Sequence, residues 1–222
     1  MNTFRTFLII AFIPFILSCT QDKSKAVSEG VIEYDAKVVD ENHPMAGLAP
    51  GSMTVKFKKN KVAAQMSTMG VFTSTFIADP VKKQFITLVK VFQDKTACVE
   101  NEVDVNENLK EYKLKLEPTD ETKEIAGYNC KKVVAHYENN PSEKFEVFYT
   151  DEMDFKMGNF ASPYAGLEGM LMQYRLKKFG LEMIFTAKSV SVEKVPDETF
   201  ELPGFYKVIS KKEMNEFFEN LN

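Results

Sequence analysis

Apolar and polar residues alternate one for one through most of this chain, a period that only a strand can sort onto two faces. Ile32, Tyr34, Ala36 and Val38 alternate with Glu33, Asp35 and Lys37. Met53, Val55 and Phe57 alternate with Thr54, Lys56 and Lys58. The dipeptide Lys59-Asn60 then predicts a hairpin turn, with Asn60 supplying the positive φ that Asn tolerates. Val62 to Met69 returns as a strand, and Gly70 breaks it. Val71 to Ile77 is β-branched and aromatic, and Asp79-Pro80 ends it. Gln84 to Phe92 is apolar at odd and even positions alike, which predicts a central strand covered on both sides.

The second half continues the period. Glu100 to Asn108 reads as an acidic loop or a ragged edge strand. Tyr112, Leu114 and Leu116 alternate until Pro118, a breaker. Thr122–Ile125 and Lys131–Glu138 form a hairpin through Ala126-Gly127, and Phe145, Val147 and Tyr149 follow a turn at 139–142. Asp151 to Gly169 has no strand period and is too long for a plain connection, so it is read as a lid or a short helix. Met170, Met172, Tyr174 and Leu176 alternate again, Phe179-Gly180 turns, and Glu182 to Glu193 returns. Ser210 with Glu213 makes a capping box, and Met214, Phe217, Phe218 and Leu221 make the stripe of an amphipathic C-terminal helix. The fold class is therefore mainly β (α+β): one domain of about ten antiparallel strands, which must curl rather than stay flat.

The N-terminus reads as an address. Arg5 precedes an unbroken apolar run of 11 residues, Phe7 to Leu17, too short for a membrane span of about 20 residues. Small Ser18 and Cys19 follow, then a polar stretch, which is the layout of a secretory signal. Ile16-Leu17-Ser18-Cys19 resembles a bacterial lipobox, in which the Cys becomes the first mature residue and carries acyl chains. The division is a signal peptide over 1–18, a lipidated Cys19 and tether over 19–28, and a folded domain over 29–222. Removing 18 of the 222 residues leaves 204. Several acyl chains anchor stably where one does not, so the chain is expected in the cell envelope, and Thr20 after the Cys points to the outer membrane. In that oxidising setting Cys98 and Cys130 are candidates for a disulfide, with buried thiols as the alternative.

The block Glu121-Thr122-Lys123-Glu124-Ile125-Ala126-Gly127-Tyr128-Asn129-Cys130-Lys131-Lys132 resembles a stretch shared by secreted families of Bacteroidota, including the GLPGLI family. Phe148-Tyr149-Thr150-Asp151-Glu152 is similar to a strand end of those families, with Phe148 in place of Trp. Gly166-Leu167-Glu168-Gly169-Met170-Leu171 is similar to the signature itself, departing at Glu168, Met170 and Leu171. The tail from Val195 to Lys207 resembles the ending of LolA-like envelope proteins. That resemblance implies an incomplete antiparallel barrel with a hydrophobic concave face, which in carriers of that fold holds acyl chains. Fold alone does not transfer a function.

Few residues suggest chemistry. A net charge of −4 argues against a nucleic-acid partner. The two His, His43 and His136, have no Cys near them in sequence; His136 is expected to face outward on its strand and His43 to lie in a loop. His43-Pro44-Met45 with Met53, Met66 and Met69 suggests soft-metal binding, though Met is more often core filler. The acidic run Glu100 to Glu107 lacks the spacing of a calcium loop. No nucleophile elbow, phosphate loop or dinucleotide fingerprint occurs. The expectation is a protein that is not an enzyme and needs no metal or cofactor. It binds a lipid or acyl chain on a hydrophobic face lined by Met170, Met172, Tyr174, Met183 and Phe185. The alternative is an envelope structural or protein-interaction module without a small ligand.

Overall fold

The computed structural model describes residues 26–178 and 181–220. The leader, Cys19, the turn at Phe179-Gly180 and Leu221 lie outside the described residues.

The alternating segments become strands. β1 (Glu29–Val38), β2 (Ser52–Lys58), β3 (Lys61–Thr68), β4 (Phe72–Asp79), β5 (Gln84–Val91) and β6 (Asp94–Asn101) form one antiparallel meander. The helix α1 (Glu102–Leu109) leads to a second meander: β7 (Leu114–Ile125), β8 (Tyr128–Tyr137), β9 (Asn140–Thr150), β10 (Met170–Lys178) and β11 (Leu181–Ser191). β1 pairs antiparallel with β11 and joins the meanders. β12 (Lys207–Val208) adds in parallel to β6, and α2 (Lys211–Glu219) follows. The result is one 12-stranded sheet in the order β12-β6-β5-β4-β3-β2-β1-β11-β10-β9-β8-β7.

The connection from β6 to β7 shows why this sheet is curved. Laid flat, the ten steps between them would span about 48 Å at about 4.8 Å each. Residues 102–113 must cover that gap with eight helical and four further residues, a reach of about 26 Å. The sheet therefore curls into an unclosed barrel, with β12 and β7 as its edges.

Both faces are covered around β5. On one face Ile86 and Leu88 pack with Ala63, Ile77 and Ala97 beneath Val195 and Phe200 of the tail. On the other, Val89 and Cys98 pack beneath Met214 and Phe218 of α2. The tail thus crosses one face, pairs along the edge as β12 and folds back over the other. A central cluster joins Ile32 and Tyr34 of β1 to Val55 and Phe57 of β2 and Phe185 of β11.

Several local expectations are corrected. The acidic stretch after Asn101 is α1, with a capping box in which the Asn101 side chain accepts from the Asp104 N–H and Asp104 accepts from the Asn101 N–H. Pro118 does not end a strand; it lies in edge strand β7, where a register shift before Thr122 tolerates it. In the β2–β3 turn Lys59, at φ 56°, carries the positive φ. Asn60 instead accepts the Met157 N–H at 2.9 Å and ties that turn to the 151–169 segment. That segment holds no helix; it is a run of turns fixed by buried Phe155 and Tyr164. Val27 and Ser28, at the end of the expected tether, already bond to the body: Val27 bridges Met153, and the Ser28 carbonyl accepts from the Lys59 N–H.

Candidate ligand-binding cavity

The curled sheet encloses a cavity of about 580 Å³, within the range of small-ligand sites. Its walls come from the strand period itself. Residues two apart on one strand share a face, so Met53 and Val55 of β2 and Ala64 and Met66 of β3 all line it. Phe76 of β4 and Phe85 of β5 extend that wall.

An aromatic ladder forms the wall toward β10 and β11. Tyr174 stacks on Phe185 with centroids 5.4 Å apart, and meets Tyr34 edge to face at 6.1 Å and Tyr164 at 5.8 Å. Burial pushes the Tyr34, Tyr164 and Tyr174 hydroxyls well above the ordinary phenol range. The Tyr34 hydroxyl donates to the Leu171 carbonyl at 2.7 Å, and that of Tyr164 donates to the Arg175 carbonyl. These hydroxyls are therefore neutral, and those of Tyr34 and Tyr164 are fixed by backbone acceptors, so the Tyr34 and Tyr174 rings present mainly apolar surface to the cavity.

The 151–169 segment forms a further wall. Phe155 lines the cavity and meets Phe57 edge to face. Asn159 is buried, and its amide donates to the Leu167 carbonyl at 2.9 Å and the Gly169 carbonyl at 2.8 Å. This replaces the ladder bonds that an irregular segment lacks. At the other rim stand α1, with Val105, Glu107 and Asn108, and α2, with Lys211 and Met214. Lys211 pairs with Glu107 at 3.2 Å and so links the two helices.

Of the five residues expected to form the face, Met170, Tyr174 and Phe185 line the cavity. Met172 and Met183 are packed into the central cluster instead. The register shift between Leu171 and Gln173 breaks the alternation at Met172, and Met183 is wedged opposite Val38 and Leu176. The cavity walls from β2 to β6 were missed, although the same period carries them.

Cys98 and Cys130 are not bonded to each other. They lie on β6 and β8, each second from an opposite end of the sheet if β12 and β7 are taken as its ends, and in separate clusters. Burial raises the Cys130 thiol to about 11. His136 shares the outward face of Lys115 and Lys144, its partners across the strands, as expected, but their side chains cover it to 6% exposure, with Nδ1 4.0 Å from Glu117 Oε1. His43 Nδ1 accepts the Met45 N–H at 3.1 Å. Met53 and Met66 face each other across β2 and β3, whereas Met69 is exposed in the next turn. Among the described residues no group of three or more His, Cys, Asp or Glu is placed to hold a metal ion.

No known family profile and no curated protein sequence matches the chain. Among solved structures it is similar to PNGF-II in a C2 crystal form, with a TM-score of 0.51 and 16% identity over 86% of this chain and 33% of that one. A P21 form of PNGF-II gives 0.49 and 15%. The Mycobacterium tuberculosis lipoprotein LppX gives 0.38 and 11%, over 79% of this chain and 92% of that one. The chain spans about a third of the length of PNGF-II. The likeness to PNGF-II is one of fold. The fold itself, one curved and unclosed antiparallel sheet, is the architecture that the LolA-like resemblance implies.

Proposed function

We propose that this is a cell-envelope protein of the LolA-like kind, related to the GLPGLI-like families of Bacteroidota and held at the outer membrane by acyl chains on Cys19. In this reading it binds a lipid or acyl chain and catalyses no reaction. The observation that carries the reading is the open cavity of about 580 Å³. A sheet of this curvature could have filled its concave side with side chains. Instead Phe, Met and Tyr side chains stand around a space, and adaptable Met with bulky aromatics suits an apolar guest.

The test is native mass spectrometry of protein extracted gently from membranes, followed by lipid analysis. A retained lipid at about one per chain supports the reading. Ligand-free protein that also fails to take up a long-chain probe overturns it. A stoichiometric protein partner bound to a chain without lipid would favour the interaction module. Membrane fractionation of Cys19→Ala tests the anchor separately: the variant is expected in the soluble fraction, and retention in the membrane would contradict acylation there.

A further inference from the structure

One wall of the cavity carries a charge that the fold leaves half-answered. Glu100 lines the cavity at the end of β6 and is 6% exposed. Its cross-strand neighbour is Phe85, and Val105 of α1 lines the same wall. The Asn108 amide donates to Glu100 Oε1 at 2.6 Å. Among the described residues no cation forms an ion pair with this carboxylate. A buried carboxylate is costly without a paired charge, and a single amide donor offsets only part of that cost. The cations among the lining residues are Lys177 of β10 and Lys211 on the rim, and Lys211 is engaged elsewhere, bonded to Glu107. Glu107 and Glu111 also line the cavity, so an anionic headgroup on this side would meet like charge.

Building on the proposed lipid-binding reading, we infer that the cavity selects an amphiphile whose polar end is a cationic hydrogen-bond donor, an amine, seated against Glu100. The alkyl chain lies along Phe76, Met66 and Tyr174. The ammonium supplies the missing countercharge to Glu100, while Asn108 fixes the carboxylate's orientation.

The test uses the full chain carrying Cys19→Ala, which has no acyl group of its own to occupy the cavity. Dodecylamine, dodecanol and dodecanoate are titrated to displace the neutral dye N-phenyl-1-naphthylamine. The amine is expected to bind at least about tenfold tighter than the carboxylate, the scale of one charge-assisted hydrogen bond. Glu100→Gln and Glu100→Leu are each expected to bring the two within about threefold. Glu111→Gln is expected to keep the preference. A carboxylate that binds as tightly as the amine, or a preference that survives both Glu100 variants, overturns the inference. If all three probes bind alike, the cavity reading stands and the role of Glu100 falls. If none binds, both fall.

Discussion

Gly166 and Gly169 lie three residues apart under opposite constraints. A Cβ on Gly169 would stand 2.5 Å from the Thr150 carbonyl oxygen and 2.8 Å from the Tyr149 ring, while one on Gly166 would meet nothing within 4 Å. Gly169→Ala is therefore expected to lower stability by about 1–3 kcal/mol through overpacking. Gly166→Ala should stay within about 0.5 kcal/mol. Urea denaturation of the two variants checks the contrast, and equal midpoints would refute it. Cys130 makes a second residue-scale prediction. With its thiol raised to about 11, almost none of it is thiolate at pH 8. Iodoacetamide should label Cys130 only after denaturant is added, read by peptide mass spectrometry. At this scale the sequence was legible as to face and not as to fate. Met170 and Met172 share a period, yet one lines the cavity and the other is core. The register shift that separates them depends on β9, which no pattern within β10 encodes.

The two helices show what an element reveals of itself. α2 was readable because Ser210 and Glu213 cap it and Met214, Phe217 and Phe218 give it a stripe. α1 has an equally good box at Asn101 and Asp104, but Val103 is exposed and only Val105 is buried, so it offers no apolar period to read. Ser210→Ala removes the hydroxyl that accepts the Glu213 N–H and is expected to cost about 1 kcal/mol. Because α2 covers the cavity, hydrogen exchange over 211–219 should accelerate in that variant before the sheet responds. The cap also responds to pH. The Ser210 hydroxyl and N–H hold the Glu213 carboxyl below the usual carboxylate range. Its contribution is fully present above that range and is lost as pH falls through the lowered value. Protection factors over α2 should therefore drop between about pH 5 and about pH 3, and a flat profile would refute the linkage.

At the scale of the molecule, the curl and about ten of the twelve strands followed from the alternation, whereas β6, β12 and the pairing of β1 with β11 did not. β1 and β11 are about 150 residues apart, and neither carries a local mark of the other. The cavity is a product of that long-range closure, which is why only part of it was readable. Filling it offers a direct check. Ala64 sits on the wall, so Ala64→Phe should weaken uptake of a dodecyl probe at least about tenfold while melting changes by only a few degrees. Unchanged uptake would place the ligand elsewhere. The tail that crosses one face, runs along the edge and returns over the other has a consequence for biosynthesis. Every strand it covers precedes it, and β1 must wait for β11 before the two meanders become one sheet. A chain emerging N-terminus first cannot bury either face around β5 until residues 195–219 have been made. Its nascent form therefore stays open through most of its synthesis and becomes compact only once residues 195–219 have joined the sheet.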